Sequence, residues 1–142
     1  MVALTSDRNT PELTPGERVG LLGASQAIFN GSILMRNAAG HLIKGALATG
    51  SFGVGRAEDV GVSTTLGVTA QRYRPGVFRF ANHGADLVVT ADIGAACYIV
   101  DDQTVAKTNG TNTRSPAGIV DGVDSLGVWV RMDEALTRAI LS

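Results

Sequence analysis

The sequence predicts an all-β protein, a compact β-sandwich or small barrel with an extended N-terminal arm and a short C-terminal helix. Three observations carry the prediction. Short apolar or alternating stretches recur along the chain at strand spacing. Turn formers separate them, glycine supplying 18 of 142 residues, well above the ~7% of an average protein. A helical pattern is confined to residues 133–141.

In chain order, residues 1–18 come first as an arm. They are polar, contain Thr10-Pro11 and Thr14-Pro15-Gly16, and keep neither a period of two nor a helical one. Proline restricts its own φ and pushes the preceding residue toward extended geometry, so such an arm loses less entropy when it docks on a partner.

Residues 19–132 are expected to form one β domain. Ile28, Phe29, Ile33, Leu34 and Met35 lead into Asn37-Ala38-Ala39-Gly40, a strand and then a turn, and residues 41–47 form the next strand. Between 49 and 65 several glycines surround Phe52 and Val54, which reads as a short strand and a loop. Residues 66–73 alternate, Arg74-Pro75-Gly76 turns, and residues 77–80 put Phe78 and Phe80 on one face and Arg79 on the other, together predicting a hairpin. Strands are then expected at 87–89, 97–100 and 104–108, a polar loop at 109–115, and two strands at 117–123 and 127–131. Trp129 is expected in the core between Val128 and Val130.

Residues 133–142 form a short helix or tail. Asp133 and Glu134 suit a helix start, and Leu136, Ala139 and Ile140 share a face that so short a helix must pack against something.

Composition narrows the function. At 142 residues the chain has room for one ordinary domain, so two independent cores are not expected. A net charge of −1 provides no broad basic field, which argues against nucleic-acid binding. One cysteine, Cys97, excludes an intrachain disulfide. Charged residues are 18% of the chain, below the usual ~25%, as expected where self-association or a partner covers part of the surface. Residues 19–34 are too interrupted by glycine and polar side chains to cross a bilayer, and no signal peptide opens the sequence, so the chain is expected to stay in the cytoplasm that makes it.

The search for catalytic patterns points away from an enzyme, a cofactor and a metal. The run Gly50-Ser51-Phe52-Gly53-Val54-Gly55 lacks the Gly-Lys-Ser/Thr ending of a phosphate loop, and its glycines are read as structural turns. Asp101 and Asp102 read as a turn. Cys97 looks like a small core residue, and His41 and His83 stand in no recognisable catalytic or metal-binding spacing. Arg72, Arg74 and Arg79 are the one local concentration of cations. Placed around a hairpin tip they repel one another and favour a carboxylate-rich partner, which arginine holds bidentately.

The run from Asp92 through Thr108, followed by Gly110-Thr111-Asn112-Thr113-Arg114-Ser115, Ala117-Gly118 and Gly127-Val128-Trp129-Val130, resembles the small head proteins of Mu-like transposable bacteriophages and prophages. Shorter matches at 76–82, 55–58 and 8–11 extend the likeness over most of the chain, while residues 132–142 extend beyond the family's usual end. These proteins are taken to be capsid decoration, or cement, proteins. The resemblance implies a non-enzymatic virion component on the capsid exterior, bound to the phage major capsid protein, self-associating as a homotrimer, and made in the host bacterial cytoplasm. It has no catalytic motif to transfer. The residues expected to contact the capsid or a neighbouring subunit are Ser6, Arg8, Asn9, Thr10, Pro11 and Pro15 in the arm, with Arg72, Arg74 and Arg79. The alternatives are a head-completion or tail-associated virion protein, and a cytoplasmic ligand-binding β-barrel with an apolar pocket. A hydrolase would need Cys97 or an acid beside a histidine.

Overall fold

A computed structural model describes residues 2–13 and 16–141, and they form an all-β protein. Residues 2–13 lie exposed, outside any helix or strand. The first half of the chain supplies β1 (Arg18–Leu21), β2 (Ala27–Ile28), β3 (Ile33–Arg36), β4 (Leu42–Lys44), β5 (Phe52–Ala57), β6 (Gly61–Val62) and β7 (Ala70–Arg74). The second half supplies β8 (Gly76–Asn82), β9 (Ala96–Ile99), β10 (Thr104–Ala106), β11 (Pro116–Asp124), β12 (Gly127–Met132) and then helix α1 (Glu134–Ile140).

The halves form different structures. In the first, five antiparallel strands lie in the order β1-β7-β5-β3-β4, and a parallel bridge from Leu22 to Leu42 draws the two edges together, so the sheet curls on itself. β2 and β6 form a separate ribbon. In the second, β10-β8-β12-β11-β9 make a closed barrel, with β10 and β8 the parallel pair.

The hairpin expected across Arg74-Pro75-Gly76 does not form. β7 pairs with β1 and β5, β8 pairs with β12 and β10, and Pro75 is the single residue between sheet and barrel. Alternation specifies which side chains share a face and is silent on the partner strand.

The buried apolar residues form two adjoining clusters. One fills the barrel with Cys97, Ile99, Val105, Val128 and Val130; the other sits inside the curled sheet with Leu22, Leu42, Phe52, Val54 and Tyr73. β3 is the wall between them: Ile33 and Met35 join the barrel cluster, while Leu34 faces the sheet cluster. Its uninterrupted apolar run reflects burial on both faces.

The glycines of β5 belong to this packing, contrary to the expected turns. Phe52 and Val54 turn into the sheet cluster, leaving Gly53 on the face toward β11. A Cβ built on Gly53 would lie 2.5 Å from the Ala117 carbonyl oxygen. Only a residue without a side chain lets the two backbones approach so closely.

Residues 87–89 are not a strand. The side-chain amide of Asn82 takes the place of a strand partner for Val88: Val88 N–H donates to Asn82 Oδ1 at 2.9 Å and Asn82 Nδ2 donates to the Val88 carbonyl at 2.8 Å. A 3-10 turn, Thr90–Asp92, follows.

Helix α1 starts as its sequence predicts, with Asp133 Oδ1 accepting from the N–H groups of Ala135 and Leu136 at 3.1 and 3.2 Å. Its inward face differs from the expected one. Thr137 is buried, whereas Leu136 and Ile140 remain exposed, and the helix packs across β5 and β11.

Candidate functional site

The three arginines singled out by sequence do not form one patch. Arg72 and Arg74 point from the exposed face of β7, and the chain supplies their carboxylates itself. Arg72 Nε donates to Asp59 Oδ2 at 2.8 Å and its Nη1 to Glu17 Oε1 at 3.2 Å. The hydrogen bond from Arg72 holds the Asp59 carboxyl below the usual range, and Asp59 and Glu17 in turn raise the Arg72 guanidinium. Arg74 Nε reaches Glu58 Oε1 at 2.8 Å, and the same carboxylate accepts from Arg56 Nη2 at 3.0 Å. Mutual repulsion of uncompensated cations, the reason for expecting an acidic partner, therefore does not hold for this pair.

Arg79 lies apart on the barrel, opposite Trp129 in the pairing of β8 with β12. Its guanidinium carbon stands 5.4 Å from the indole centroid, and its nearest acid, Asp124, is 3.7 Å away. Trp129 is 38% exposed, which corrects its expected place in the core. Val128 and Val130 are fully buried, so in a strand of period two the residue between them must face outward. The indole N–H donates to Asp124 Oδ2 at 3.0 Å, and Asp124 Oδ1 accepts from the N–H groups of Leu126 and Gly127 at 2.8 and 3.0 Å. Led by the indole hydrogen bond, these contacts lower the Asp124 pKa and keep it anionic. The ring is thus fixed in orientation while part of it stays in solvent.

Beside Trp129 runs a groove of about 510 Å³, lined by Arg56, Val77, Phe78, Arg79 and Gln103. Arg56 lies over the Phe78 ring, 4.2 Å from its centroid. Past Gly31 and Gln103 the depression continues for about 350 Å³ to Asp102 and Phe29, the latter 68% exposed.

The residues considered for catalysis are dispersed. His41 precedes β4, His83 occupies the turn after β8, and Cys97 lies inside the barrel, where burial pushes its thiol up to about 12. Asp101 Oδ1 accepts from the Gln103 N–H at 2.9 Å, the turn its sequence predicts. Among the described residues no three His, Cys, Asp or Glu side chains are grouped to hold a metal ion, and no helix is long and apolar enough to cross a membrane.

One polar cluster was invisible in the sequence because its members come from distant segments. Arg36 Nη2 donates to Tyr73 Oη at 2.9 Å, the Tyr73 hydroxyl donates to Glu134 Oε1 at 2.5 Å, and Arg36 Nε donates to Glu134 Oε2 at 3.2 Å. It fastens α1 to the curled sheet. Glu134→Ala is expected to cost about 2 kcal/mol, between the values of exposed and fully buried pairs. A urea midpoint unchanged from wild type would remove the cluster from the account of how the helix is held.

The arm residues Ser6, Arg8, Asn9, Thr10 and Pro11 are exposed, as are the apolar Val2, Leu4 and Leu13. Pro15 lies outside the described residues. No family model, curated protein or solved structure matches the chain.

Proposed function

We propose that the chain is a non-catalytic virion structural protein, a decoration protein that binds the outer surface of a phage capsid shell and stabilises the head. The exposed arm carries this reading. Residues 2–13 include three large apolar side chains, with Val2 89%, Leu4 70% and Leu13 69% exposed, which the folded body leaves in water. An arm of this kind gains its stabilisation by lying on another molecule. The resemblance to the head proteins of Mu-like phages supplies the lattice, a major capsid protein shell to which homotrimers attach.

The mechanism is a clamp. Ser6, Arg8, Asn9, Thr10 and Pro11 cross to a neighbouring subunit, and modest contacts repeated at every lattice position resist the pressure of packaged DNA. Of the three arginines, Arg79 is the one whose ion pairing leaves most room for an outside carboxylate.

Deleting residues 1–15 is expected to weaken binding to purified expanded heads by at least about tenfold, the equivalent of ~1.4 kcal/mol. Undiminished occupancy would remove the arm from the mechanism. In a particle reconstruction the polypeptide should decorate the shell at every equivalent lattice position; a few copies at one vertex would replace this reading with a head-completion or tail component.

A further inference from the structure

We propose that the groove at Trp129 is the docking site for the arm of a second copy of this chain. The inference rests on the arm being a contact element, as proposed above, and is independent of the identity of the lattice.

The shape of the groove selects an extended occupant. Two adjoining depressions share Gly31 and Gln103 and carry an exposed aromatic at each end, Trp129 and Phe29. A long shallow channel with separated aromatic anchors suits a strand-like or polyproline segment better than a compact small molecule. The arm is such a segment: residues 2–13 have no helix or strand, and proline stiffens them at Pro11.

Chemistry also matches. Over residues 2–13 the charged side chains are Asp7, Arg8 and Glu12, and the apolar ones are led by Val2, Leu4 and Leu13. The Trp129 end of the groove is aromatic and holds more arginine than acid: Arg79 lies over the indole with Asp124 3.7 Å away, and Arg56 lies over Phe78 and shares the Glu58 carboxylate with Arg74. Arg131, two residues along β12 and on the same face, is exposed and has no ion pair among the described residues. The Phe29 end includes Asp102. Carboxylates of the arm thus meet the arginine end, and its leucines and valine cover aromatic surface. Tryptophan and arginine are the residues most enriched where binding energy concentrates.

The occupant is assigned to a second copy because residues 2–13 of the same chain stand exposed rather than in the groove. Head-to-tail donation of one arm by each subunit to the next closes a ring without any new fold.

Trp129 is the sole tryptophan of the chain, so its fluorescence reports the groove directly. The test is sedimentation equilibrium of the full chain over a concentration series, with tryptophan emission recorded on the same samples. Wild type is expected to associate, with emission moving to shorter wavelength as the indole leaves water. A full-length variant with Val2, Leu4 and Leu13 all replaced by serine, and separately Arg79→Glu, should each need at least ten times the concentration to associate, with folded circular dichroism spectra unchanged. Four results would overturn the proposal: a wild type that stays monomeric, an arm variant that associates like wild type, association without an emission change, or an emission change produced by a single-stranded oligonucleotide and not by concentration. Because no capsid is present, these results bear on the groove and leave the decoration reading to the head-binding assay.

Discussion

Gly53→Val is expected to destabilise the protein by about 3 kcal/mol, lowering its melting temperature by roughly 10 °C. The new side chain would start 2.5 Å from the Ala117 carbonyl oxygen and 3.0 Å from Ala117 Cα. These are backbone atoms of β11, held on both sides by β9 and β12, so neither can swing aside as a flexible side chain would. To admit the branch the curled sheet must lift from the barrel, pulling Ile33 and Met35 away from the cluster they share with it. Gly84→Ala is the control. A Cβ there meets nothing within 4 Å and φ is not in the left-handed range, so the change should stay within about 0.5 kcal/mol. A Gly53→Val protein melting within a few degrees of wild type would show that the two layers are not in backbone contact.

Alkali is expected to remove several kcal/mol of stability between about pH 9 and pH 12. Burial raises Tyr73 from 10.0 to about 12, helped by the Glu134 carboxylate it bonds, and raises Cys97 from 9.0 to about 12. Both are neutral when protonated, and the folded state disfavours the anion. In the unfolded chain Cys97 loses its proton from about pH 9 and Tyr73 from about pH 10, whereas the folded protein retains both until about pH 12. Within that window the folded state binds more protons, so stability falls as pH rises; below it the contribution is fully present. Every tenfold difference in proton affinity between the folded and unfolded chain is worth about 1.4 kcal/mol. Urea unfolding at stepped pH measures the slope. Cys97→Ala should flatten its lower part and Tyr73→Phe its upper part. A wild-type stability constant from pH 9 to pH 12 would show that neither group is held in its protonated form by the fold.

The strands at residues 97–100, 104–108, 117–123 and 127–131 were legible because local alternation and turn chemistry are enough to define a strand and, for β11 with β12, its hairpin partner. The helix start at Asp133 was legible for the same reason, its acceptor and donors being two and three residues apart. Pairing between distant segments was not. Nothing near Pro75 announces that β8 joins β12 rather than β7, and the residues that would reveal it lie some fifty positions later. The arginines show the same limit at the candidate site: the acids that engage Arg72 and Arg74 are 13, 55 and 16 residues away, so three nearby cations resembled an open patch. Trp129 is different. Its outward position followed from Val128 and Val130 facing inward, a signal present in the sequence and outweighed by the usual burial of large aromatics.

The fastening of α1 has a consequence for the order in which the molecule matures on the ribosome. Leu141 packs against the sheet cluster, and Glu134 supplies the carboxylate for Arg36 and Tyr73, so the earliest-made layer is roofed by some of the latest-made residues. Until positions 134–141 emerge, the nascent curled sheet carries the Arg36 guanidinium without its carboxylate and an uncovered apolar flank. Its native arrangement is therefore a late event in biosynthesis, and a nascent chain halted after β12 would hold a formed barrel beside a half-finished neighbour.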